Sequence, residues 1–145
     1  VPSPRILLVE DNRDEVELLR RAFRKLGSES ELAVAEDGEE AAALLSGGGP
    51  LPELVILDLK MPRRSGLELL GWMRSKPELA RVAVVIFSAS EEREDIERAK
   101  ALGVVSYLVK PGGFGATCDA AKAILGIWAA LREGRPYTPI FPSSV

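Results

Sequence analysis

The chain has 145 residues, 46% of them hydrophobic and 28% charged, the profile of one soluble globular domain, and too short for two. Nineteen Lys and Arg against 22 Asp and Glu leave a net charge of −3, so no general basic field exists to hold nucleic acid or an anionic membrane surface. There is no histidine, which removes imidazole general bases, Ser-His-Asp triads, histidine metal ligands and any self-phosphorylating histidine.

In chain order, Ile6-Leu7-Leu8-Val9 is the first short apolar run and predicts a strand buried on both faces. Val16, Leu19, Phe23 and Leu26 then recur at helical spacing and predict a helix ended by Gly27. Leu32-Ala33-Val34-Ala35 alternates less clearly and predicts a strand nearer an edge. Asp37-Gly38 opens a second helix through Leu45, stopped by Gly47-Gly48-Gly49-Pro50. Leu54-Val55-Ile56-Leu57 is the third strand, and Ser65-Gly66 opens a third helix through Met73. Val82 to Phe87 is the fourth strand, followed by a helix that Ser90, Glu91 and Glu92 start and that runs to Leu102-Gly103. Tyr107-Leu108-Val109 is the fifth strand, and the longest helix runs from about Phe114 to Leu131.

Five β-α units with short connections predict a parallel sheet covered by helices on both faces. In such sheets the ligand crevice lies beyond the carboxyl ends of the strands. Those ends carry Glu10-Asp11, Asp58, Ser88-Ala89 and Lys110-Pro111, so every strand end but the second presents a polar functional group. Three carboxylates converging there repel one another, which calls for a divalent cation or a raised proton affinity, and a small hard ion such as Mg²⁺ suits an open acidic cluster. A carboxylate held at the end of an apolar strand, as Asp58 is, can attack phosphorus to give an acyl phosphate. Lys110 supplies an ammonium and Ser88 a hydroxyl for the phosphoryl oxygens. The single cysteine, Cys118, excludes an intramolecular disulfide, and the continuous apolar runs are strand-sized, with cytoplasm as the expected location.

Taken together, Val9-Glu10-Asp11, Leu57-Asp58-Leu59-Lys60-Met61-Pro62 with Gly66, Ser88-Ala89 and Tyr107-Leu108-Val109-Lys110-Pro111 resemble the receiver domain of two-component response regulators, over roughly residues 5 to 131. The resemblance implies a doubly wound, flavodoxin-like (βα)5 fold with strand order 2-1-3-4-5. It further implies that Asp58 accepts a phosphoryl group from a histidine kinase or phosphotransfer protein. Asp11, Asp58 and the backbone carbonyl of Lys60 would hold Mg²⁺ directly, and Glu10 mainly through water. By the same resemblance Lys110 contacts the phosphoryl group, its bond to Pro111 is cis, and Ser88 and Tyr107 form a switch pair in which the hydroxyl moves toward the phosphoryl group and the ring turns inward. The Pro50-Leu51-Pro52 approach to the third strand, the Glu-rich opening of the fourth helix and the Trp near the end of the fifth resemble stand-alone receivers associated with phytochrome-type kinases.

The expected organisation is a receiver over residues 1–132 with a 133–145 extension and no output domain, acting as a signalling phosphoacceptor and not as an enzyme, through protein contacts. An aspartyl-phosphate hydrolase is the alternative; it would want Asp-x-Asp after the first strand, where this chain has Glu10-Asp11-Asn12. A flavodoxin-like cofactor carrier is a third reading, opposed by the charge of Glu10-Asp11 against a flavin phosphate. Lys60, two residues after Asp58, is expected to reach over the phosphoryl group. Leu18 with Arg20, Arg21 and Arg24 is expected to dock the phosphodonor. On the longest helix, Phe114, Cys118, Ala121, Leu125 and Trp128 form one stripe and Ala120, Ile124, Ile127 and Leu131 a second. Two stripes, followed by Tyr137, Ile140 and Phe141 among three prolines, predict a homodimer through this helix and the tail.

Overall fold

The computed structural model describes residues 3–28, 30–61 and 63–143. Pro62 of the motif after the third strand, and the last two residues of the extension, lie outside the described residues. Five strands alternate with five helices: β1 (Arg5–Val9), α1 (Arg13–Lys25), β2 (Glu31–Ala35), α2 (Gly38–Ser46), β3 (Leu54–Leu57), α3 (Gly66–Ser75), β4 (Ala83–Ser88), α4 (Arg93–Ala101), β5 (Ser106–Val109) and α5 (Phe114–Glu133). The strands form one parallel sheet in the order β2-β1-β3-β4-β5, the doubly wound arrangement expected from the sequence.

The sheet side chains divide by the period of two. Leu7, Val9, Val55, Leu57, Val84, Ile86 and Tyr107 face α2, α3 and α4 in one core, while Ile6, Leu8, Leu54, Ile56, Val85, Phe87 and Leu108 face α1 and α5 in the other. β2 lies at an edge and only Ala35 of it is buried, which is why its sequence pattern is the weakest of the five.

Local signals place the helix starts. The Asn12 side chain accepts from the Asp14 and Glu15 N–H groups, Asp37 from Glu40, and Ser65 from Glu68. The fourth helix begins at Arg93, later than the Ser90 start expected, because Ser90 Oγ accepts the Glu92 N–H and holds a turn outside the helix. Leu26, expected on the apolar face of α1, is instead the exposed C-cap; Leu19, Ala22 and Phe23 carry the burial.

At the rim away from the strand ends, Arg74 of α3 donates to the carbonyls of Ala80, Val82, Leu102 and Gly103, stapling the foot of α3 to the chain entering β4 and to the C-terminal end of α4.

Helix α5 is long and apolar enough in composition to cross a membrane, with a mean hydropathy of 1.3, yet it packs along α1 and against the sheet. Its burial differs from the two stripes expected. Thr117, Ala121, Ile124, Ile127, Trp128 and Ala130 are all buried within the chain, leaving Leu131 as the exposed member of the second stripe. After the left-handed Gly134 cap, the tail returns to the outer edge of β5. There Ile140 accepts the Tyr107 N–H at 2.7 Å and donates to Ser106 Oγ at 2.9 Å, and Phe141 packs against the α4-side core beneath the Lys100 ammonium.

Candidate functional site

Strand register determines what meets at the carboxyl rim. Val9 pairs with Leu57, Leu57 with Ile86, and Ser88 with Val109, so the residues that follow these positions arrive on one level. Backbone bonds carry that alignment past the strand ends: Glu10 N–H donates to Ala35, Asp58 N–H to Val9 and Lys110 N–H to Ser88. Under this rim Gly66 comes so close that an added Cβ would stand 2.3 Å from the Asp58 carbonyl oxygen and 2.8 Å from Leu59 Cα. No side chain fits between the start of α3 and the backbone of Asp58.

Glu10, Asp11 and Asp58 bring carboxylate oxygens within 4.8 Å of one another. Glu10 and Asp58 are 3% and 5% exposed, whereas Asp11 opens to solvent. The Lys110 ammonium stands 2.6 Å from Glu10 and 3.4 Å from Asp58, and it also contacts Glu15 from the first turn of α1. Glu15 is the member of this cluster that the strand-end pattern did not indicate. Asp11 precedes the Asn12 cap, outside α1, and nothing local distinguishes Glu15 from an ordinary first-turn acid.

Burial pushes the Glu10 carboxyl up to about 8, against the bonds it receives from Lys110 and the Asn12 N–H and with the help of the Asp58 charge. For Lys110, burial alone would lower the ammonium, but its bonds to Glu10 and Glu15 and the charge on Asp58 hold it above its ordinary value. Three carboxyl groups around one ammonium, with Asp11 beside them, leave the cluster short of positive charge. Hard oxygen donors in a half-open cleft are a donor set suited to a small divalent cation.

Two expectations about the rim are corrected. The Lys110–Pro111 bond is trans, and the described residues contain no cis peptide. The Lys60 ammonium does not lie over Asp58; it pairs with Asp95 of α4 at 3.3 Å, while the Lys60 backbone N–H donates to Asp58 Oδ1 at 3.4 Å. The Tyr107 ring already lies inward, fully buried, with its hydroxyl donating to the Ser90 carbonyl at 2.8 Å. Ser88 is also fully buried, and its Oγ accepts the Ser90 N–H at 3.2 Å. On α1, Arg20, Arg21 and Arg24 are exposed beside the half-buried Leu18.

Comparison with known proteins agrees with this geometry. The chain is 30% identical over 132 residues to the response regulator Rcp1 of Synechocystis sp., covering 88% of this chain and 90% of that one. Among solved structures, the phosphorylated cyanobacterial phytochrome response regulator RcpA superposes with a TM-score of 0.82 at 30% identity, covering 90% of this chain and 96% of that one. The Mn²⁺-bound form of Rcp1 superposes with a TM-score of 0.79 at 30% identity over 86% of this chain and 94% of that one. Residues 6–122 match the response regulator receiver domain, and with the strand order and the carboxylate cluster at its carboxyl rim the chain belongs to that family, whose general mechanism is phosphorylation of an aspartate.

Proposed function

We propose that Asp58 is the phosphoacceptor of a switch that passes its signal through protein contacts. The observation that carries this reading is that, among the described residues, Asp58 is the one carboxylate at the end of a fully buried strand that also meets both the acidic cluster and Lys110. A carboxylate oxygen of Asp58 attacks phosphorus, a mixed anhydride forms, and the bond from phosphorus to the donor breaks. The donor is a histidine kinase, a phosphotransfer protein or a small phosphodonor, since the chain has no histidine of its own. Lys110 exchanges a carboxylate contact for a phosphoryl oxygen, and the Ser88 hydroxyl turns from the Ser90 N–H toward another. Tyr107, held inward by Ser90, completes the switch pair.

Glu10, Asp11, Asp58 and the Lys60 carbonyl would hold Mg²⁺, which supplies positive charge against the phosphoryl oxygens. This role is that of a phosphoacceptor in the cytoplasm that assists only its own phosphorylation and dephosphorylation. Arg20 and Arg21, exposed on α1 with the half-buried Leu18, suit an acidic donor surface, whereas Arg24 lies in the last turn, away from the cleft, and pairs with Glu17.

A second copy of the chain is the further partner supported by an observation. The tail holds the β5 edge by two hydrogen bonds and Phe141, contacts that a partner's tail could make equally well, and Leu131 and Ile140 stay exposed beside it. Light scattering of the full chain with and without beryllofluoride tests this; a monomer at tens of micromolar in both conditions excludes it.

Incubation with acetyl phosphate and Mg²⁺, read by intact mass, tests the main reading. One phosphoryl adduct is expected, absent from Asp58→Asn and from chelator-treated protein. Full labelling of that variant, or labelling indifferent to chelator, overturns it.

A further inference from the structure

Outside the carboxylate cluster two acidic groups among the described residues have little access to water: Asp37, which caps α2 and pairs with Arg63, and Asp95. Asp95, in the first turn of α4, is 8% exposed, and one of its oxygens, Oδ2, serves two partners: the Ser90 hydroxyl at 2.6 Å and the Lys60 ammonium at 3.3 Å. The hydroxyl bond alone has a structural explanation. Asp95 is the third residue of α4, and Glu92, the cap residue, makes no side-chain bond, so Asp95 and Ser90 together close the turn that the cap leaves open. The ion pair with Lys60 is not needed for that turn.

Lys60 is tied at one end and free at the other. Its backbone N–H donates to Asp58 Oδ1, so the residue starts beside the acceptor carboxylate, while its side chain is more than half exposed and reaches across to α4. A four-carbon stem that begins next to Asp58 can as readily bring its ammonium over a phosphoryl group there. Which of the two anions holds the ammonium depends on their relative pull, and Asp95 is the nearer one in the unphosphorylated geometry. Ser90 adds a link to the rest of the rim, since its N–H bonds Ser88 Oγ and its carbonyl bonds the Tyr107 hydroxyl.

Resting on the reading of Asp58 as phosphoacceptor, we propose that Asp95 is a positioning residue for phosphoryl loss: it draws the Lys60 ammonium onto α4 and so keeps open the path by which water reaches the phosphorus. In that reaction water attacks phosphorus opposite the Asp58 oxygen, the phosphorus–Oδ bond breaks, and the carboxylate and inorganic phosphate leave with the water's proton passed to solvent. An ammonium lying over the phosphoryl oxygens obstructs the water, so releasing Lys60 from Asp95 lengthens the phosphorylated lifetime.

The test uses four full-length chains: native, Asp95→Asn, Lys60→Met and the double variant. Each is phosphorylated with acetyl phosphate and Mg²⁺, freed of donor, and followed by intact mass as the adduct decays. Asp95→Asn is expected to lengthen the lifetime by about fivefold, the population shift that an ion pair of this exposure commands. Lys60→Met, a change at an exposed side chain that does not threaten folding, is expected to decay no more slowly than native. Adding Asp95→Asn to it is expected to change nothing further. A role of Asp95 confined to the α4 turn would instead shift both backgrounds equally, and that result overturns the proposal, as does a Lys60→Met chain that decays more slowly than native. Failure of the underlying reading is distinguishable, because the native chain would then take up no adduct at Asp58 at the first step.

Discussion

Acidifying the solution from pH 8 to pH 6 will weaken Mg²⁺ binding far more than an ordinary carboxylate cluster would allow. Glu10 holds its proton up to about 8, against an ordinary value of 4.5, because burial disfavours its charge and Asp58 stands beside it. The cation needs that carboxyl ionised, so binding must displace one proton. A single proton with this affinity lowers the apparent binding constant about 50-fold between pH 8 and pH 6, and still about tenfold if the proton is held one unit more weakly. Without metal the same group acts on stability with the opposite preference. Its raised folded-state value favours the folded chain fully below about 4.5, and that contribution is lost as the pH rises through about 8. Calorimetric titration in two buffers of different ionisation enthalpy reads both the affinity and the released proton. Glu10→Gln should bind the ion more weakly at pH 8 and lose most of the pH dependence. An affinity that varies less than twofold over this range, or a Gln variant with the native slope, would refute the reasoning.

Gly66→Ala forces a methyl group against the Asp58 carbonyl and Leu59 Cα, neither of which is a movable side-chain end, and should cost about 3 kcal/mol together with slower labelling of the acceptor; native stability by denaturant melt and a native rate would contradict the close packing. Glu15→Gln removes one of the carboxylates that hold Lys110 and makes the cleft less repulsive to an anionic donor, so labelling by acetyl phosphate should accelerate by about fivefold. A rate that is unchanged or lower would show that Glu15 does not compete for the ammonium. Ending the chain at Gly134 removes the Ile140 bonds and the Phe141 packing, which should cost about 2 kcal/mol and lower Tm by about 5 °C. A Tm within one degree of native would mean that the tail contributes nothing to the fold.

The parts of this molecule that were legible in advance are those governed by local chemistry. Four strands announce themselves because both faces of each are buried, and the cluster of Glu10, Asp11, Asp58 and Lys110 follows once the strands are parallel, since each residue comes directly after an apolar run. What remained hidden depends on contacts between distant segments. Glu15 is an ordinary helix-opening acid until Lys110, 95 residues away, reaches it. Lys60 was expected over the acceptor because the sequence places it there, and no local pattern reveals that Asp95 pulls it aside. The second stripe of α5 suggested an unpaired surface, yet Ile124 and Ile127 turn out to be covered within the chain, a property of how the helix is rotated on the sheet rather than of its periodicity.

The Arg74 staple gives α4 a fixed end. Four carbonyl contacts, two of them at Leu102 and Gly103, hold the foot of this helix to α3 and to the approach of β4, whereas its head is held by the Asp95 bonds to Ser90 and Lys60. A helix pinned in this way can pivot but not slide. Nine residues make a lever of about 13 Å. A tilt of about 5° about the foot would therefore carry the head roughly 1 Å while leaving Leu102 and Gly103 in place. Rearrangements that begin beside Asp58 would fade along α4 toward its C-terminal end and be largest at its first turn.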